Sequence, residues 1–407
     1  MNIAPTAHSS LLSRSPALPV GTLLLCALGT AACQQHSPTI PDPVDVSATR
    51  VRAGSSGLDG LFDAEAWGRS RLPEPAAVDR REAVILVDNN GQAGEGPGYQ
   101  RADYVLMGID CFGLRRGELC DEIGARAGLE LGKPLPMGWT GRGAAERIRD
   151  GGQYVYVALS PHFSADGMAW VTVDVVAREE RDRLSVNMPP TETTVISSNL
   201  LQVYGSFSNL RVQLLRSGLA PAFRIEGDTW EPDEPRLAAF AALFRAEVPR
   251  NRDDLIKVLL RDREPSRRRA AAGLLGYDRR DDATADALEL ALLDPDVNVR
   301  QEAATALTPR LHHAATAGAS VIAVGPVARL LKLPTATDRT SAAALLAEMA
   351  LVPSLRPQIR QDAAPVLLQM LRSSRGNVVD QAVMVLERTS GESWGNDAER
   401  WAEVLGQ

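Results

Sequence analysis

The sequence predicts a multidomain protein in which a small α+β unit is followed by an all-α repeat array. Three observations carry this. One frame of residues returns four times in the C-terminal part: Leu260, Arg268, Ala271-Ala272, Leu275; Leu292, Arg300, Ala303-Ala304, Leu307; Leu331, Arg339, Ala342-Ala343, Leu346; and, degraded, Leu371, Val379, Ala382-Val383, Leu386. Ahead of it, residues 104–112, 154–163 and 168–176 read as strands, with two short helical stretches between the first and second. The chain opens on a short apolar segment that ends in Ala31-Ala32-Cys33, the form of a secretory signal rather than of a membrane span.

The repeat frame keeps its internal offsets while successive copies start 32, 39 and 40 residues apart. Constant geometry with variable spacing is what stacked helical pairs produce, because insertions fall in the turns. In each copy the first leucine closes one helix. A turn rich in Asp and Pro follows (Asp262, Pro265; Asp294-Pro295-Asp296), and the second helix sets two alanines on one face with leucine. The alanines allow close helix approach, and no single pair buries its apolar face alone, so neighbours must stack. Over about residues 253–407 this frame resembles the HEAT repeat family of α-solenoids. The resemblance implies a ladder between units made by the turn Asp and the second-helix Arg. Asp262 with Arg268 and Asp294 with Arg300 fit it, and Asp338 with Arg339 fits less well. Val379 has lost the Arg, as a terminal unit does. After Gly391, Trp394, Asn396-Asp397 and Trp401 are similar to the closing segment of HEAT-like bacterial proteins. They read as a lid over the open end of the core, with an aromatic binding site as the other reading.

Arg14 is the one charged residue before Cys33. Ala31-Ala32-Cys33 resembles a bacterial lipobox, with Thr30 where Leu is most common, and this implies lipidation of Cys33. Plain cleavage after Ala32 is the alternative. Gln34 is not Asp, which in the lipoprotein family points to the periplasmic side of the outer membrane. A soluble periplasmic or secreted protein is the other reading. Removing residues 1–32 takes the net charge from −7 to −8. Residues 33–80 carry Pro41, Pro43, Gly54, Gly57 and Gly60 with no apolar period, and read as a tether.

Residues 81–190 hold the α+β unit. Residues 83–88 read as a further short strand and 89–98, with four glycines, as a loop. The later order of strand, helix, helix, strand, strand resembles the POTRA module. So do the link Gly128-Leu129-Glu130-Leu131-Gly132-Lys133-Pro134-Leu135 and the run from Gly151 into Val157. Cys111 and Cys120 stand at a strand end and in the following helix. In an oxidising compartment they either pair and close a small loop, or remain two buried thiols. Residues 191–250 form a helical connector, with Leu200, Tyr204, Phe207 and Leu214 on one broad face and Leu237, Phe240 and Phe244 in a second helix. Residues 251–407 are the array.

Catalytic chemistry is missing from the sequence. No HExxH, CxxC or Gly-x-Ser-x-Gly occurs, and Asp294–Val299 lacks the glycine and distal Glu of a calcium loop. The expectation is a scaffold that binds a protein partner, with no cofactor, metal, nucleic acid or small-molecule substrate. The alternative is an accessory or lyase-like HEAT protein acting on a small ligand, for which His312-His313 is the one hint. An acidic chain argues against general nucleic-acid binding. Against that background residues 245–280 hold eleven Lys/Arg and six Asp/Glu. Lys257, Arg261, Arg263, Arg267 and Arg269 read either as a solvated helix surface or as a patch for an anionic partner.

Overall fold

The computed structural model describes residues 103–406 except 116, 137–138, 165–166, 218 and 279–281. The signal, Cys33, the tether, the run 83–88, the glycine loop 89–98 and Arg280 lie outside the described residues. What is described is mostly helical, with a small sheet region first and helices after it.

Strand β1 (Asp103–Phe112), helix α1 (Cys120–Ala127), β2 (Pro134–Pro136), α2 (Arg142–Arg149), β3 (Tyr154–Phe163) and β4 (Met168–Ala177) form the first unit. The sheet order is β2-β1-β4-β3. The β1–β4 pair is parallel and the other pairs are antiparallel. β4 is buried along most of its length because it is covered on both faces. On one face Val157, Leu159, Val171, Val173 and Val175 pack with Ile123 and Ile148 of α1 and α2. The other face meets the helices. The link 128–135 contributes an extra strand, β2, beside which the Leu106 amide donates to the Lys133 carbonyl. The first of the two short helices expected between the strands starts at Cys120. Cys111 and Cys120 are joined by a disulfide, with Cα atoms 5.5 Å apart.

Helix α3 (Leu200–Arg216) is followed by a two-stranded hairpin, β5 (Phe223–Glu226) and β6 (Thr229–Pro232), and by α4 (Pro235–Glu247). The helical pairs come next: α5 (Arg252–Arg261) with α6 (Pro265–Leu275), α7 (Asp282–Ala291) with α8 (Val297–Thr316), α9 (Val324–Lys332) with α10 (Ala336–Met349), and α11 (Arg356–Met370) with α12 (Gly376–Ser390). Helix α13 (Ala398–Leu405) closes the chain. The contacts run in a row along α6–α8–α10–α12; on the other side α5 meets α7, and α9, α11 and α13 follow one another, with α3 against α6 at the start. The paired alanines sit where the rows meet: Ala271, Ala272, Ala303, Ala342, Ala343 and Ala382 are all buried. At the far end Trp401 is fully buried in the shared core and Arg400 lies over Trp394. Asp397 caps α13 by accepting from the Arg400 amide.

The first unit and the helical rows are joined by buried charge. Arg339 of α10 pairs with Asp174 of β4, and its guanidinium lies 3.6 Å from the Phe112 ring centre. Asp110 of β1 accepts from the Ser373 hydroxyl and, at 2.7 Å, from the Ser374 amide, both in the α11–α12 turn. Gly108 makes this approach sterically possible, because a Cβ there would collide with Ser374 Oγ. Burial pushes the Asp174 carboxyl above its ordinary range, against the pull of Arg339.

The chain then runs back along the turns of the pairs. Arg183 Nε donates to Lys332 O (3.3 Å), the Asn187 amide to Leu293 O (2.7 Å), the Glu192 amide to Arg261 O (3.2 Å), and the Arg263 amide to Glu192 O (2.7 Å). The segment through Pro189-Pro190 is therefore a strap stitched to three successive turns.

Candidate functional site

The ladder residues come together, in a register the offsets do not reveal. Arg268 makes a bidentate pair with Asp294 of the next unit, at 2.8 Å from both Nε and Nη2, while its Nη1 donates to the carbonyl of Asp262 (2.9 Å). Arg300 repeats this with Asp338 (2.8 and 2.7 Å) and the Asp294 carbonyl (2.7 Å). The ladder expected between units is present, each Arg taking the carboxylate of the next copy and the carbonyl of its own turn. Asp262 instead binds Arg267 (2.9 Å) and accepts from Thr194 and the Glu264 amide. Burial works against its charge, yet these bonds hold its carboxyl below the ordinary range. Asp338, which fitted the frame poorly, is a full member of the ladder.

Arg339 has no further array carboxylate to reach. The position equivalent to Asp262 and Asp294 is Ser373 in the fourth copy. Ser373 keeps the local turn, with Oγ accepting from the Arg375 amide (3.1 Å). The missing negative charge comes from the sheet, as Asp174 and Asp110.

The predicted cationic patch does not form one free surface. Arg267 turns to Asp262, and Arg269 turns the other way to Glu302 (3.1 Å). Arg261 lies 3.7 Å from Glu192 and Arg263 lies 4.0 Å from Glu264, while Lys257 is exposed. A helix has several faces, and a run of cations in sequence spreads over them.

A groove is built on the α6–α8–α10–α12 face, with a cavity of about 150 Å³. Its floor carries small and hydroxyl side chains, among them Gly273, Gly276, Ala304, Thr305, Thr337, Thr340 and Ser341, with Gln301 and Gln381. One end is walled by α3 and the hairpin through Tyr204, Phe207, Arg211, Phe223 and Trp230. Trp230 Nε1 is anchored on Thr305 O at 2.8 Å. Gly273 lets Tyr204 seat against α6, since a Cβ there would overlap its ring. The Tyr204 hydroxyl donates to Glu302, and burial, then that carboxylate, keeps the phenol un-ionised. The other end is walled by His162 of β3 and Arg375 and Asn377 of the last pair.

His162 Nε2 lies 3.0 Å from Arg375 Nη1. An arginine can only donate, so Nε2 accepts and the imidazole is neutral with its proton on Nδ1. Burial, then Arg375 and Arg339, drive its pKa down to about 3. The group is depressed in the fold, and the unfolded chain takes up its proton near pH 6.5. Its contribution to stability is thus full above pH 6.5 and is lost as pH falls toward 3. Denaturant titrations should show stability dropping between pH 6.5 and 5, and His162→Gln should flatten that slope.

Sequence reasoning did not single out the groove residues, because they come from parts of the chain remote from one another. A signal for the hairpin did exist, in the alternation of Phe223 and Ile225, the Gly227 turn (φ 65°) and Trp230. His312 and His313 stand apart from the groove. His312 Nδ1 lies 2.8 Å from Glu348, which also takes Arg388 at 3.2 Å. Among the described residues no group of three or more His, Cys, Asp or Glu is placed to hold a metal, and no helix is long and apolar enough to cross a membrane. The chain matches no protein-family model and no curated protein.

Proposed function

We propose that this protein is an exported, lipid-anchored scaffold that binds a protein partner. In this reading the helical rows are a HEAT-like array, the first unit is a POTRA-like module, and Cys33 holds both at the periplasmic side of the outer membrane through the 33–80 tether. The observation that carries it is the groove: it lies across four helices of one row, and its end walls are supplied by elements outside the pairs, α3 with the hairpin and the sheet. Side chains on stacked helices need little ordering on binding, so such a surface keeps most of its contact energy. Its carboxylate, Glu302, is held by Arg269 and Tyr204, and its imidazole, His162, is neutral, which favours recognition over proton transfer. The lyase-like alternative loses support because His312-His313 lies off the groove.

The test is photo-crosslinking in cells with a benzophenone side chain placed at Thr337 in the groove or at exposed Glu399 on α13, in otherwise intact chains. A discrete protein adduct from Thr337 and none from Glu399 is expected. Adducts from Glu399 alone would place the partner elsewhere. For the anchor, Cys33→Ala should move the protein from the membrane fraction to the soluble periplasm.

A further inference from the structure

We propose that the groove seats an extended peptide and that its α3 end receives the peptide's C-terminal residue, an apolar side chain beside a free carboxylate. This rests on the protein-binding reading above and adds the class of segment bound.

The α3 end is an aromatic box. Phe207, Phe223, Trp230 and Tyr277 line it. Together these rings form an apolar hollow at the end of the groove, suited to an aromatic or branched aliphatic side chain. Arg211 stands in this box, its guanidinium carbon 5.7 Å from the Phe207 ring centre and 5.0 Å from that of Phe223. No carboxylate pairs with it among the described residues. Glu302 is the one carboxylate lining the groove, and Arg269 and Tyr204 already occupy it. A cation held between aromatic faces, with an apolar hollow beside it, is complementary to a carboxylate attached to an apolar group.

Two features make the carboxylate terminal rather than a side chain's. α3 and the hairpin stand across this end, so a chain lying along the floor stops there. The floor itself suits main chain, because Gln301, Thr337, Ser341 and Asn377 offer donors and acceptors, and the Gln381 amide oxygen is buried without a partner. Four helices at about 9 Å spacing span about 27 Å, which is about eight extended residues. The opposite end lacks the box, and its Arg375 is already engaged with His162.

The probe is a pool of fluorescein-labelled octapeptides ending in Leu or Phe, as free acids or C-terminal amides, titrated with the intact mature chain by anisotropy. The free-acid pool should bind, and amidation should weaken binding at least tenfold. Arg211→Met keeps the apolar stem and should bring the free acids to the level of the amides, while Arg211→Lys should recover part of the difference. Thr337→Trp fills the floor without touching Arg211 and should abolish both. Equal binding of the two pools, no binding of either, or free-acid binding unchanged in Arg211→Met overturns the proposal. So does 3-phenylpropionate competing as well as unlabelled octapeptide, which would make the site one for a small acid. If the Thr337 crosslink persists in Arg211→Met, the protein-binding reading stands and this inference alone fails.

Discussion

Arg300→Leu should lower stability by about 3–5 kcal/mol, the cost of leaving a buried charge without its partner. Arg300 and Asp338 are both buried, joined by two hydrogen bonds, and Arg300 also closes the Asp294 and Pro295 carbonyls of its own turn. Burial works against the guanidinium, but Asp338 more than offsets it and raises its proton affinity. Removing the arginine strands the Asp338 carboxylate with Thr335 as its remaining side-chain partner, at 2.7 Å. The pair itself adds little net stability, because desolvating two charges offsets their attraction. The double variant Arg300→Leu/Asp338→Leu should therefore recover much of the loss. Urea titrations of the three variants measure both effects. A single variant within 1 kcal/mol of the parent would mean that the ladder is not buried as described.

Ala272→Asp should cost about 4 kcal/mol or more, since an unpaired carboxylate would enter the space between rows. Ala272 is fully buried on α6 within the continuous core. Ala304 occupies the same place in the frame but borders the groove. A side chain there has somewhere to go, and Ala304→Asp should be milder, though damaging to binding. Thermal melting of both variants checks the ordering. Equal, small shifts would contradict the register of the pairs.

The helical rows were legible because close packing dictates composition: Ala-Ala with Leu at fixed offsets is what two touching helices require, and every copy must meet that requirement. The order of strands and helices in the first unit was legible from alternation for the same reason. The ladder's register was not, because a constant offset between Asp and Arg is satisfied equally within a copy and between copies. The completion of the ladder by Asp110 and Asp174 was invisible. Their partners Ser373, Ser374 and Arg339 lie far along the chain, and no local pattern marks a residue that fills another element's vacancy. The strap was not legible as such, since proline and threonine suit a backbone-bonded extended segment as well as a linker. Missing the α3 end of the groove had a similar cause: Tyr204 and Phe207 read as core, which they are, while their rings also form the wall.

The sheet and the helical rows form one body, joined through Arg339–Asp174 and Asp110–Ser373, and the sheet's His162 closes one end of the groove. Native-state hydrogen exchange on the full chain tests it most directly. The amides of β4 and α10 should open with the same free energy, and Arg339→Leu should accelerate β4 selectively while α6 keeps its protection. Exchange of β4 much faster than α10 in the parent, and indifferent to Arg339→Leu, would contradict it.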